Sequence, residues 1–381
     1  VSDAVESFQV RVADAVLEDL RDRLAHTRFP DQIAGTGWEY GIPIDYLADL
    51  VAYWRDTYDW RAQEARLNAV GQFRTRIDGQ SIHFIHVRSP HADAFPLLLT
   101  HGWPGSVVEF LEVIPRLTEP DAHGGGATDA FHVVAPSLPG YGFSEPTQTR
   151  GWDVGRIASA FMELMRRLGY ARYGAQGGDW GAQVASRIGA LDREGCAAIH
   201  LNMPIGERAE SSVPLTDQDK ADLAAMQHFQ REESAYALEQ ATKPQTLGAA
   251  LNDSPAGLLA WIVEKFRTWS DCDGHPENIF TRDQLITNVM MYWVTQTITS
   301  SARLYWENKR ESSSEDAREY VSVPTGVARY PKEVLRFPRS WVERRYNVTH
   351  WADMPRGGHF AAMEQPALFV EDLRTFFETV R

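Results

Sequence analysis

One pentapeptide constrains this chain more than any other stretch: Gly177-Gly178-Asp179-Trp180-Gly181. It follows a strand-like run, Arg172 to Gln176, and precedes a helix-like run, Ala182 to Gly189. A strand that turns sharply into a helix lifts one side chain clear of the backbone. That residue sits in a sparsely allowed backbone region, so its neighbours must lack bulk. Gly177 and Gly181 meet the requirement, and the lifted residue is Asp179. A carboxylate is already ionised at pH 7 and needs no base to activate it. It is poorly suited to attack an amide or ester carbonyl. It suits displacement at an sp³ carbon, as in an epoxide or an alkyl halide. The product is an ester between enzyme and substrate, which water must then cleave. The bland alternative is a Gly-Gly-Asp surface turn, since both residue types are ordinary in turns. The surrounding pattern weighs against it.

The first 70 residues read as helical and free of strands. Val12, Val16, Leu20 and Leu24 give residues 10–25 an amphipathic stripe, ended by Pro30. A second helix is expected over 44–57 and a third over 63–70. Alternation around Asp78-Gly79 predicts a hairpin of 73–78 and 81–88. From there to residue 203, apolar runs at 95–100, 131–136 and 197–203 alternate with helical patterns at 107–117, 154–168 and 182–189. That alternation implies a parallel sheet with crossover helices. Residues 206 to about 320 break it with three expected helices, 220–242, 256–268 and 282–305, and look like a lid. Residues 307–322 are polar and Ser-rich, an exposed connection. Strands are expected again at 323–328 and 348–354, with a turn or short helix at 331–337 and a closing helix at 366–380.

The ester route fixes what else must be present. A base must activate water, and His359, in Arg356-Gly357-Gly358-His359-Phe360 after the last expected strand, occupies that place. A carboxylate must orient the imidazole. Glu333, just past the strand at 323–328, is the first candidate and Asp353 the runner-up. The tetrahedral intermediate needs two backbone donors, expected from Trp180 and Trp103. Pro104 follows Trp103, so a cis bond there is expected to shape the turn. The alkoxide from an opened epoxide needs an acid, and a buried tyrosine can donate without carrying a charge. Tyr236, Tyr292, Tyr305 and Tyr320 are the lid candidates, and pattern alone does not choose among them.

Bulk properties narrow the partners. A net charge of −14 argues against nucleic acid and anionic membrane surfaces. Two cysteines, Cys196 and Cys272, offer neither a disulfide framework nor a metal cluster, so no metal or other cofactor is expected and a reducing, cytoplasmic setting is the default. No apolar run is long enough to span a bilayer, and the first residues lack the pattern of a signal peptide. The many aromatic residues permit an apolar or aromatic small-molecule substrate; a homodimer is compatible with everything above.

At this point the chain resembles the microsomal-type epoxide hydrolases over nearly its whole length. His101 to Ser106 is similar to that family's HGWPGS loop, and Gly177 to Gly181 to its GGDWG turn, which makes Asp179 the nucleophile. Tyr236 with Thr242-Lys243-Pro244, and Tyr305 after Ser300-Ser301-Ala302-Arg303-Leu304, resemble the segments of the two lid tyrosines. Val323-Pro324-Thr325-Gly326 through Glu333 resembles the segment of the triad acid, which supports Glu333 over Asp353. RGGHFAAME, Arg356 to Glu364, resembles the histidine loop. The resemblance implies an α/β-hydrolase fold with a mostly parallel sheet. Its expected parts are an N-terminal helical extension (1–72), a core in two pieces (73–205 and 323–381) and a helical lid (206–322). It implies hydrolysis of an epoxide to a vicinal diol through an aspartyl ester. Unlike the membrane-anchored members, the chain shows no N-terminal anchor and is expected to be soluble. Some bacterial relatives act in natural-product pathways, including enediyne antibiotics, which gives one substrate context. The rivals are a hydrolytic dehalogenase, disfavoured by the paired tyrosines, and a binding protein on the same fold that has lost its chemistry.

Overall fold

The structure is a computed structural model and describes residues 3–208, 214–311 and 319–381. A short strand, β1 (Glu6–Ser7), precedes three helices, α1 (Asp14–Ala25), α2 (Ile44–Asp56) and α3 (Trp60–Asn68). The hairpin β2 (Gln72–Ile77) and β3 (Gln80–Val87) follows, then β4 (Phe95–Thr100), α4 (Val113–Thr118), β5 (Phe131–Pro136), α5 (Val154–Arg167), β6 (Tyr173–Gly177), α6 (Asp179–Leu191) and β7 (Cys196–Leu201). Six helices interrupt the alternation: α7 (Asp217–His228), α8 (Ala235–Thr242), α9 (Pro244–Leu251), α10 (Pro255–Trp269), α11 (Arg282–Trp293) and α12 (Ile298–Glu311). It resumes with β8 (Val321–Arg329), α13 (Arg339–Val342), β9 (Tyr346–Asp353), α14 (Ala361–Glu364) and α15 (Pro366–Phe377).

The described strands form one sheet in the order β1-β2-β3-β5-β4-β6-β7-β8-β9. Pairing is antiparallel from β1 through β5 and parallel from β5 to β9. The parallel strands are buried on both faces, which is why Leu97, Leu98 and Leu99 run consecutively with no exposure. The turn at Asp78-Gly79 has both residues at positive φ, 49° and 74°, matching the twist of the flanking strands.

Several expectations give way. The leading segment is not purely helical, because Glu6–Ser7 pairs with β2. The first helix starts at Asp14, not at residue 10. Val10 and Val12 are extended, their amides bound to Asn68 Oδ1 at 2.8 Å and Glu64 Oε1 at 2.7 Å, while Val16 of the expected stripe is 38% exposed. Side-chain tethering of this segment to α3 outweighs periodicity here. The expected helix over 107–117 is a 3₁₀ turn, Val107–Phe110, followed by α4. The expected helix over 220–242 is split by a π-helical turn at Phe229–Glu233. The one over 282–305 breaks where Gln296 takes a φ of 54°. Helix α9, which Pro244 opens at its first turn, was not anticipated; nor was α13. At 331–337 the turn alternative holds: the chain turns at Pro331, and Lys332 makes a parallel bridge to Gly358. Of the expected exposed connection, 307–311 belong to α12, and 312–318 lie outside the described residues.

The leading helices pack on the interrupting ones. Arg23 meets Asp253 at 2.7 Å, Tyr53 donates to Asp283 at 2.8 Å, and Tyr58 and Thr287 hydroxyls lie 2.9 Å apart. Among the described residues, no helix is long and apolar enough to cross a membrane.

Candidate active site

The site is assembled at the carboxyl ends of four neighbouring parallel strands. Thr100 of β4 pairs beside Gly177 of β6, Gly177 beside Leu201 of β7, and Leu201 beside Val327 of β8. The loop after β4 therefore runs directly alongside the turn after β6. Asp179 has a φ of 50°, a conformation that costs a non-glycine residue on the order of 1–3 kcal/mol. The packing allows little else. A Cβ on Gly177 would lie 2.0 Å from Gly181 O, and one on Gly181 would lie 1.9 Å from Thr100 O.

The side chain of Asp179 points at the neighbouring loop. Its Oδ1 accepts from the Trp103 amide at 2.8 Å, and the Trp180 amide also bonds the carboxylate. These are the two donors expected from sequence, and the Trp103–Pro104 bond is cis. The loop is braced from behind by α11. Asn288 donates to Pro104 O at 2.7 Å, Ser106 Oγ donates to Asn288 Oδ1 at 2.8 Å, and Tyr292 donates to Gly105 O at 2.5 Å.

His359 Nε2 lies 3.5 Å from Asp179 Oδ2, and its Nδ1 lies 2.7 Å from Glu333 Oε1. The bridge between Lys332 and Gly358 is what sets those two loops side by side. Glu333 also accepts from the Val334 amide at 2.7 Å. Asp353, the runner-up, is exposed and paired with Arg329 at 2.6 Å, away from the imidazole. Burial would push His359 down. The negative charges of Glu333, Asp179 and Glu109 outweigh it and raise the imidazole to about 9. Burial pushes the Asp179 carboxyl up, while the His359 charge and the Trp180 and Trp103 amides pull it back.

The four tyrosine candidates separate cleanly. Tyr320 is 48% exposed. Tyr292 spends its hydroxyl on the loop carbonyl. Tyr236 and Tyr305 are buried with ring centroids 5.9 Å apart. The Tyr236 ring stacks on Trp103 at 5.1 Å, and the Tyr305 ring stands edge-on to Trp180 at 4.8 Å. Both rings thus rest on the two residues whose amides hold Asp179. The Tyr305 hydroxyl finds no hydrogen-bond partner among the described residues. Burial holds both phenols well above their ordinary range, so they remain donors.

Three further groups were not singled out from sequence. Glu109, on the 3₁₀ turn after the β4 loop, is pushed by burial up to about 8, and Glu364, on α14, up to about 7. Lys265 is buried with its Nζ 4.9 Å from the Tyr236 ring. Glu109 does carry a sequence signal, Ser106-Val107-Val108-Glu109, but that pattern reads as a helix cap, which it also is. Among the described residues, no group of three or more His, Cys, Asp or Glu side chains could hold a metal ion.

Comparison with known proteins places this geometry. Residues 5–110 match the family described as epoxide hydrolase N terminus, and residues 96–326 match the alpha/beta hydrolase fold. A protein of Stigmatella aurantiaca (strain DW4/3-1) that carries an epoxide hydrolase name is 48% identical over 381 residues, covering 99% of this chain and 86% of its own. Epoxide hydrolase 1 of Sus scrofa is 39% identical over 402 residues, covering 98% and 88%. The crystal structure of juvenile hormone epoxide hydrolase from the silkworm Bombyx mori superposes with a TM-score of 0.91 at 33% identity, over 100% of this chain and 95% of that one. Aspergillus niger epoxide hydrolase gives 0.88 at 34%, over 100% and 97%. With likeness in sequence and in structure running from end to end, this chain belongs to the epoxide hydrolases built on the α/β-hydrolase fold.

Proposed function

We propose that Asp179 is the nucleophile of a two-step epoxide hydrolysis in which His359, oriented by Glu333, is the base and Tyr236 and Tyr305 are the acids. One observation carries this reading: the Asp179 carboxylate lies between two main-chain donors on one side and the Nε2 of a Glu333-bound imidazole on the other. In the first step an Asp179 oxygen forms a bond to an epoxide carbon, the C–O bond of the ring breaks, and a tyrosine hydroxyl gives its proton to the alkoxide. The product is an ester at Asp179 and a phenolate. In the second step His359 takes a proton from water as the hydroxide adds to the Asp179 carboxyl carbon. The amides of Trp103 and Trp180 hold the oxyanion, worth roughly 10²–10³ in rate for each such donor. Collapse expels the diol oxygen, which takes the proton from His359, and the acid proton left on Asp179 restores the tyrosine.

Ester formation also prepares its own hydrolysis. It removes the negative charge of Asp179, one of the charges that raises His359, so the imidazole becomes neutral at a lower pH. The ring cage of Trp103, Trp180, Trp269, Tyr236 and Tyr305 favours an apolar or aromatic epoxide. The test is turnover in heavy-oxygen water. Label is expected in Asp179 after repeated cycles, and Asp179→Asn is expected to lose on the order of 10⁴-fold or more in rate while remaining folded. Unlabelled Asp179 would overturn the ester route.

A further inference from the structure

Beneath the turn that carries Asp179 lies a small chamber of about 20 Å³, lined by core residues and by no residue of α7 to α12. Asp179 and His359 form one wall, and Thr100, Glu109, Gln176 and Asn202 supply its polar atoms. A water needs roughly 10–15 Å³ of such room and two to four polar partners. Thr100 Oγ1 and Gln176 Oε1 are buried here without a hydrogen-bond partner among the described residues, although each residue is only 1% exposed. Buried polar atoms in that state are rare in native proteins unless water serves them. The Gln176 amide is itself held, donating to Asn202 Oδ1 at 3.3 Å. Glu109 is fixed at one oxygen, which accepts from the Ser106 amide at 3.1 Å.

We propose that this chamber holds the hydrolytic water, and that Glu109, Thr100 and Gln176 are positioning residues that present it to His359 and to the Asp179 carboxyl carbon. The inference rests on the ester route above. It accounts for the second step without requiring water to pass the bound substrate. Of the five rings of the aromatic cage only Trp103 also lines the chamber, which is otherwise walled by core residues. Glu109 is suited to the task. Pushed up to about 8 by burial, it is mostly protonated at neutral pH and can both donate to a water and accept from it. The groups that act on it are His359, Asp179, Glu364 and the Ser106 amide. The proton balance of the second step is unchanged, since Glu109 positions the water and His359 takes the proton.

The experiment separates the two half-reactions. Styrene oxide is mixed with excess enzyme, ester formation and decay are followed by tryptophan fluorescence, and the ester is counted by intact mass. Glu109→Leu is expected to form ester at the wild-type rate and to lose it about 10²-fold more slowly, the effect of a misplaced reactant. Glu109→Gln keeps the acceptor for Ser106 and a donor toward the water, and is expected to recover most of that loss. Thr100→Val, nearly isosteric, is expected to slow decay alone by roughly fivefold, as loss of one hydrogen bond would. It carries the test if Glu109→Leu does not fold. Wild-type decay in both Glu109→Leu and Thr100→Val would overturn the inference, as would equal slowing of formation and decay. If wild-type enzyme turns over but no ester appears and no heavy oxygen enters Asp179, the parent reading falls and this one with it.

Discussion

The two walls of the site are built on different principles. On the core side, position is set by main chain. Asp179 is fixed by its own backbone and by the amides of Trp103 and Trp180; His359 has its amide bonded to Trp269 O at 2.9 Å, and Glu333 is held by the amide of Val334. On the lid side, position is set by ring packing. Tyr236 and Tyr305 lean on tryptophans and on each other, and the Tyr305 hydroxyl has no hydrogen-bond partner among the described residues. Asp179, as the proposed nucleophile, must meet its carbon within a narrow approach, so a main-chain cradle suits it. A hydrogen-bond donor to an alkoxide tolerates more play, so side-chain packing suffices.

If that contrast holds, the core wall breaks at a single methyl. A Cβ on Gly102 would lie 2.1 Å from Asp179 Oδ1, so Gly102→Ala is expected to slow ester formation by on the order of 10³-fold through the displaced amide and carboxylate, read in single-turnover kinetics. The lid wall should give way by degrees. Tyr305→Phe or Tyr236→Phe alone is expected to cost roughly 10²-fold in ester formation, and the pair far more, with ester decay little changed. Slowing of decay by either single variant would erase the division between the walls. A third test concerns charge. In Asp179→Asn the His359 imidazole, watched by NMR, is expected to titrate below the wild-type value of about 9, because one raising charge is gone while Glu333 remains. It would then be neutral over a wider span of alkaline and neutral pH. The smallest effect is expected at the brace between α1 and the lid. Arg23 and Asp253 are partly or largely exposed, so Arg23→Ala should reduce stability by less than about 1 kcal/mol in a denaturant melt and leave ester formation unaltered.

The same contrast explains what could be read from the chain. The core wall lies in short contiguous motifs. Gly177 to Gly181 and His101 to Ser106 each encode a turn and its occupant together, so local chemistry points to the geometry. The lid wall is scattered. Tyr236 and Tyr305 stand 69 positions apart, and nothing in their local pattern separates them from Tyr292, whose hydroxyl is committed to Gly105. Family resemblance, not periodicity, chose the pair. Glu109 was passed over for a related reason: its capping role is local and visible, whereas its nearness to His359 depends on how α14 packs against the 3₁₀ turn. Helix boundaries failed where side chains overrule periodicity, as at Val10 and Val12, or where one residue at positive φ divides a long apolar pattern, as at Gln296.

The strand order carries a further consequence. The chain leaves the sheet after β7 and returns in β8, and these two strands are immediate neighbours. Topologically, everything from α7 to α12 is a loop closing a single gap between adjacent strands. The whole insertion could therefore be exchanged for that of another family member as one cassette. The recipient would keep its own Asp179, His359 and Glu333 but take both tyrosines, and the bracing contacts of α10 and α11, from the donor, provided the three leading helices travel with the graft.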